Sequence, residues 1–367
     1  SQNIIISQGS GANVTIAPGD VKAVYLDGAG SGAAVTDAFA SLSTVDLKVQ
    51  DDLTVTDDVS VGGDLATTGA STAASYNGIT SKTFGTSSIM IGDTTTGTID
   101  AANNNTGLGV DVFAALTTGD DNVAIGKSAL TANTTGYDNV AVGSSSLLAN
   151  TTGRRNTAVG RLSMIANTTG NFNSAFGYNA GTAITEGTSN TAVGDSALKA
   201  NTTASNNTAV GQAALVANTT GHSNVGIGSA SLDANTTGIR NTAVGFESLS
   251  ANTEGTQNTA VGKGALLVNT TGIENTGVGS SALDANTTGN SNTAVGQGSL
   301  DNNTTASNNT AVGHDSLKAN TTGTGNVAVG SGSLDANTTG DYTVSVGRNA
   351  LTAQTTGGNN TAIGDSA

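Results

Sequence analysis

The amino-acid sequence predicts an all-β chain built mainly as a parallel β-solenoid, and three observations lead to that fold class. Asparagine recurs every 17 residues from Asn122 to Asn326, and after Thr343 it returns at Asn360. Each unit reads approximately Asn-Thr-Ala-Val-Gly-x-x-Ala-Leu-x-Ala-Asn-Thr-Thr-Gly-x-x and has no helical period. Aromatic residues are 3% of the chain and tryptophan is absent, which leaves too little bulk for a globular core. We expect each unit to form one coil of strand, turn, strand and turn.

Two columns of apolar residues predict the core of this solenoid. We number the positions of a unit from 1 to 17, with Asn122 at position 1. Position 4 carries a β-branched residue in most units, as at Ile125 and Val193, and position 9 usually carries leucine, as at Leu130 and Leu198. Stacked strands favour such β-branched ladders. We predict that the two columns face each other across a thin core.

Three further columns predict contacts and turns. The alanine at position 3, as at Ala124, lies on the opposite face of the strand, where it allows a second chain to approach closely. The glycine at position 5, as at Gly126 and Gly194, is expected at positive φ or beside another backbone. The segment from Asn133 to Gly136 predicts the second turn, with asparagine bonding the nearby backbone and stacking from coil to coil.

The first 45 residues carry no repeat and predict a small, β-rich attachment domain. Strands are expected over 3–7, 12–17 and 21–26, because these segments are rich in Ile and Val and are bounded by turn residues. A short helix is expected over 33–42.

Residues 46–67 carry a shorter period, and residues 46–87 together precede the solenoid, which we place at 88–367. Alternating apolar pairs recur every six residues over 47–61, and one such strand cannot bury its face alone. Three identical chains wrapped as an intertwined β shaft would bury it, and a plain edge hairpin is the alternative. Residues 68–87 are a transition rich in small residues.

Composition argues against several classes of function. The net charge of −15 disfavours binding to nucleic acid, and no apolar run is long enough for a transmembrane helix. The two histidines, His222 and His314, lie at variable positions, where we expect them in solvent. The sequence therefore predicts no catalytic site, no metal and no cofactor. Asn133-Thr134-Thr135 matches the N-glycosylation pattern, although turn chemistry explains its repetition better.

Two family resemblances add to this interpretation. The segments 122–126 (Asn-Val-Ala-Ile-Gly) and 156–160 (Asn-Thr-Ala-Val-Gly) resemble the head repeats of trimeric autotransporter adhesins, whose unit is somewhat shorter. That resemblance implies a left-handed parallel β-roll, three of which pack about a threefold axis. The segments 19–34 and 52–65 are similar to structural and fibre proteins of tailed bacteriophages, especially marine ones.

The sequence and these resemblances predict a virion fibre, a homotrimeric tail or head fibre located on the outside of the particle. Its expected partners are two identical chains, other virion proteins at the N-terminal region, and a host receptor at a distal part outside this segment. The sequence lacks an initiator Met and stops within a unit, so we expect a longer protein. The alternatives are a trimeric adhesin on a bacterial surface and, more weakly, a secreted enzyme on a β-helix.

Overall fold

The computed structural model of the chain consists of strands and turns. It forms two compact units, residues 1–71 and 72–367. Its strands and turns are described for residues 4–6, 14–18, 24–26, 35–37, 81–84, 88–92 and 101–367. Within these ranges there is no helix.

The first unit contains two antiparallel strand pairs. Strand β1 (Ile4–Ile6) pairs with β2 (Val14–Ile16), and β3 (Val24–Leu26) pairs with β4 (Val35–Asp37). Strand β4 falls inside the helix that we predicted over 33–42, so that prediction is wrong at these residues. The Val-Thr pair at its start suits a strand because β-branched side chains fit a pleated surface. The predicted shaft over 46–67, and the predicted transition as far as residue 80, lie outside the described residues.

The second unit opens with a hairpin and then places one strand in every 17 residues. Ser81–Phe84 (β5) pairs antiparallel with Ser88–Gly92 (β6). The strands that follow are β7 (Thr106–Gly109), β8 (Val123–Ile125), β9 (Val140–Val142), β10 (Thr157–Val159), β11 (Ser174–Phe176), β12 (Thr191–Val193), β13 (Thr208–Val210), β14 (Val225–Ile227), β15 (Thr242–Val244), β16 (Thr259–Val261), β17 (Thr276–Val278), β18 (Thr293–Val295), β19 (Thr310–Val312), β20 (Val327–Val329), β21 (Val344–Val346) and β22 (Thr361–Ile363).

From β6 onward every strand pairs in parallel with the next, and the register is constant. Val123 lies beside Val140, and Thr157 lies beside Ser174, so equivalent positions stack directly. Neighbouring strands are about 4.8 Å apart, which gives this ladder a length of about 80 Å. The predicted parallel β-solenoid with a 17-residue coil is confirmed.

The sequence predicts a second strand on the far side of each coil, and this prediction is wrong: the structure has one strand per coil. Positions 7 and 9 are left-handed, with φ of 59° at Ser128 and 50° at Leu130. The N–H of Ser145 donates to the preceding coil at Lys127 O, whereas the N–H of Leu147 donates to the following coil at Ser163 O. These bonds satisfy the backbone along the rod without extended geometry, which offsets the cost of left-handed residues.

The two faces of the strand are reversed relative to our prediction. Ala124 at position 3 is fully buried within its own chain and packs in the core that contains Leu130. Ile125 at position 4 points outward, with 36% of its surface exposed. Because successive side chains of a strand alternate, only one of the two can face inward. The coil is narrow, and alanine leaves room for leucine from the opposite side. The position-9 column is confirmed as core.

Candidate functional surface

The glycine column at position 5 fixes the end of each strand. Gly126 has a φ of 123° and Gly194 has a φ of 132°, a region that side-chain-bearing residues rarely adopt. A Cβ on Gly194 would lie 2.5 Å from the carbonyl oxygen of Gly211 in the next coil. Both predicted reasons for glycine, positive φ and close approach of another backbone, are confirmed.

Two ladders of buried asparagine hold the turn together. Asn139 donates from Nδ2 and from its backbone N–H to Asn122 Oδ1, at 3.1 and 3.0 Å. The amides of Asn122 and Asn133 both donate to Gly136 O, each at 2.9 Å. The predicted stacking of asparagines is confirmed. Asn133 is fully buried and its Nδ2 is engaged, which argues against glycosylation of the folded rod at this asparagine.

The outward face of the strand ladder is uncharged. We call its column of apolar position-4 side chains the position-4 stripe; the neighbouring position 2 carries Thr, Ser or Val. No strand from β8 to β22 has a charged residue at either position. Members of the stripe that expose between 36% and 42% of their surface are Ile125, Phe176, Ile227, Val261, Val295, Val312 and Val329. A continuous apolar surface of this length marks an interaction site in proteins.

Ionisable side chains of the regular coils occupy the variable positions around this stripe. His222 and His314 are exposed, as predicted. Within the described ranges no group of three His, Asp or Glu side chains is placed to hold a metal ion. None of the described segments forms a helix long and apolar enough to cross a membrane.

One column of carboxylates has an altered acidity. Burial raises the pKa of Asp284, and the charge of Asp301 in the next coil raises it further. Burial also raises the pKa of Asp301, while Lys318 lowers it and Asp315 raises it. The two carboxylates share position 10, so the stacking of coils places them one above the other. The ionised form of each carboxylate is therefore less favourable in the folded coil than in water.

Comparison with known proteins gives no match: no protein-family model, no curated protein and no solved structure is significantly similar to this chain.

Proposed function

We propose that this protein is a structural virion fibre, a homotrimeric rod that projects from a phage particle and supports attachment to the host. The observation that supports a homotrimeric rod most directly is the position-4 stripe, which is apolar and uncharged along the whole regular ladder. A protein secreted or displayed as a single chain would leave this stripe in water. Partner chains that cover it would remove that exposed surface.

The constant register makes a second and a third copy of the chain the best occupants of the stripe. Equivalent residues recur at the same spacing along the chain, so parallel copies in register would place each position-4 residue against its counterpart at every level. Three left-handed coils about a threefold axis would bring three stripes together, as the resemblance to autotransporter heads implies. The interface between chains is therefore proposed at position 4, in place of the alanine column.

The proposed mechanism is mechanical. Each coil is tied to the next by backbone bonds such as Val140 N–H to Asn156 O at 2.8 Å and by the two asparagine ladders. Such a rod resists bending and proteolysis because few of its backbone groups are free. Three chains would also present three copies of any distal receptor-binding part, which raises the avidity of weak contacts. The N-terminal region is the proposed attachment to other virion proteins.

A trimeric adhesin on a bacterial surface is the second candidate. It is favoured by the strand motif Asn122-Val123-Ala124-Ile125-Gly126, which resembles the heads of such adhesins. The phage proposal rests on the segments 19–34 and 52–65.

Immunogold electron microscopy with antibodies against residues 122–367 separates the two candidates. The fibre proposal predicts gold on projections of purified phage particles and none on uninfected bacterial cells. Labelling of bacterial envelopes without labelling of particles would contradict it and support the adhesin.

A further inference from the structure

Four consecutive coils, 122–189, carry arginines and aromatic rings at positions where many other coils carry small polar residues. We call this surface the Arg-aromatic patch. Its members occupy positions 16, 17 and 6 and are Tyr137, Arg154, Arg155, Phe172, Arg161 and Tyr178. Equivalent positions in other coils hold residues such as Ser205, Ser189 and Ser144. The solenoid therefore does not need these side chains in order to fold.

The patch contains the cation–π pairs of the described chain. Arg154 lies over the ring of Tyr137 at 5.6 Å, and its Nη1 donates to the Tyr137 hydroxyl at 2.7 Å. Arg155 lies over the ring of Phe172 at 5.6 Å and contacts Asp138 at 3.4 Å. These residues form two adjacent columns, because positions 16 and 17 are neighbours in sequence and coils stack in register.

A second stack lies on the other side of the strand. Arg161 at position 6 lies over the ring of Tyr178 at 5.7 Å. Within the described ranges, neither Arg154 nor Arg161 has a carboxylate partner. A guanidinium has five N–H donors, so most of the donors of these two exposed arginines are available to a ligand. Phe172 and Tyr178 expose 46% and 45% of their surface.

The local charge is opposite to that of the chain. Residues 122–180 hold four cations, Lys127 and the three arginines of the patch, against one anion, Asp138, which gives +3 in a chain of net charge −15. A concentrated positive charge attracts anions to this level of the rod.

We infer that the Arg-aromatic patch binds an acidic oligosaccharide, a short glycan that carries carboxylate or sulfate groups. Arginine binds planar oxyanions in a bidentate manner, and exposed aromatic rings provide apolar faces for the C–H surfaces of sugar rings. Carboxylates limit each column on one side: Asp120 and Asp121 lie below positions 16 and 17, and Asp195 lies above position 6. A long polyanion such as a nucleic acid that followed the rod would meet these carboxylates, whereas a ligand of a few sugar residues would not.

Calorimetric titration of the full chain with a size-defined oligogalacturonate tests the inference. We expect binding that weakens as salt is added, because the contacts are partly ionic and exposed. The variant Arg154→Ser, Arg155→Ser and Arg161→Ser should lower the affinity about tenfold or more, through loss of charge-assisted hydrogen bonds. Serine occurs naturally at all three positions, so the variant should fold, which circular dichroism verifies.

Two further variants test whether the aromatic rings, and not any exposed arginine, are needed for binding. Arg240→Ser removes an arginine at position 17 whose neighbours in the column, Ser223 and Gln257, carry no ring, and it should leave the affinity unchanged. The double variant Phe172→Ser and Tyr178→Ser should weaken binding without changing the charge. The inference is overturned if oligogalacturonate does not bind, if the triple variant binds as well as the wild type, or if a single-stranded oligonucleotide of equal charge binds equally well.

Discussion

Ile184 fills the space that a leucine at position 9 would otherwise occupy, and it does so in the one complete coil where that position is Gly181. A Cβ on Gly181 would lie 2.8 Å from Ile184 Cδ1 and 3.2 Å from Met164 Cγ. Ile184 is 1% exposed and stands at position 12, where other coils carry asparagine. The exchange interrupts the asparagine ladder and leaves Asn167 Oδ1 buried without a hydrogen-bond partner. Two departures from the repeat therefore compensate each other in volume at the expense of one hydrogen bond.

This compensation predicts strong coupling between the two positions. Gly181→Leu alone should destabilise the rod, because its side chain overlaps Ile184, and Ile184→Asn alone should destabilise it by opening a cavity. The double variant restores the consensus coil and returns a donor to Asn167, so it should be at least as stable as the wild type. Thermal unfolding of all four proteins measures the coupling, expected at about 1–3 kcal/mol. Additive effects of the two changes would show that the positions are independent.

The glycine columns at positions 5 and 15 should respond differently to the same substitution. Gly194→Ala places a Cβ at a φ of 132° and against Gly211 O, and we expect a destabilisation of about 1–3 kcal/mol. Gly238→Ala at position 15 is the matched control: a Cβ there would also approach the next coil, at Gly255 O, but Gly238 does not have a positive φ, and Ala204 and Ala306 occupy that position naturally. The Ala204 carbonyl still accepts bonds from Asn190 and Asn201, at 2.9 and 3.0 Å. Urea unfolding should rank Gly194→Ala as clearly the more damaging change, and equal midpoints would refute this account of the column.

The acidic column predicts a pH-dependent gain from removing one carboxylate. The folded pKa of Asp284 is raised above its ordinary value of 3.8, so the folded chain binds more protons than the unfolded chain between the two values. Stability therefore falls as the pH rises through this interval and stays lower above it. Asp284→Asn should raise the melting temperature at pH 7 and lose that advantage at about pH 3, below both pKa values.

Asp233→Asn is the control for this experiment, since Asp233 stands in the same column and accepts a hydrogen bond from Ser250 Oγ at 2.6 Å. It should bring no gain at pH 7. A gain at Asp284 that is equally large at pH 3 would point to a cause other than ionisation.

The sequence predicts the repeat, the register, the glycine column and the asparagine ladders, because each depends only on what recurs every 17 residues. It does not predict which face of the strand is inside. Alternation places Ala124 and Ile125 on opposite faces without saying which one is buried. That choice depends on the width of the coil, which is set by the left-handed backbone at Ser128 and Leu130. A leucine with a left-handed backbone conformation is uncommon, and the residue pattern of the repeat does not predict it. The Arg-aromatic patch is not predicted from the sequence, because only the coil register shows which ring lies beside each arginine.

Charge on the position-4 stripe should separate the chains if the stripe is the interface. The variant Val210→Lys, Val244→Lys and Val278→Lys places three cations on the stripe of each chain, where partner chains would bury them. The control variant Thr203→Lys, Thr237→Lys and Thr271→Lys adds the same charge at position 14, which is exposed. We expect the first variant to be monomeric and the second to assemble as the wild type does. Dissociation of both variants would place the effect in total charge and not in the stripe.

The mass of the wild-type chain in solution tests the central claim most directly. Sedimentation equilibrium over a range of protein concentrations determines it without reference to shape. The proposed fibre predicts a single species that contains three chains of 35.5 kDa each. A stable species of 35.5 kDa at all concentrations would contradict it, because the position-4 stripe would then remain exposed in the native protein.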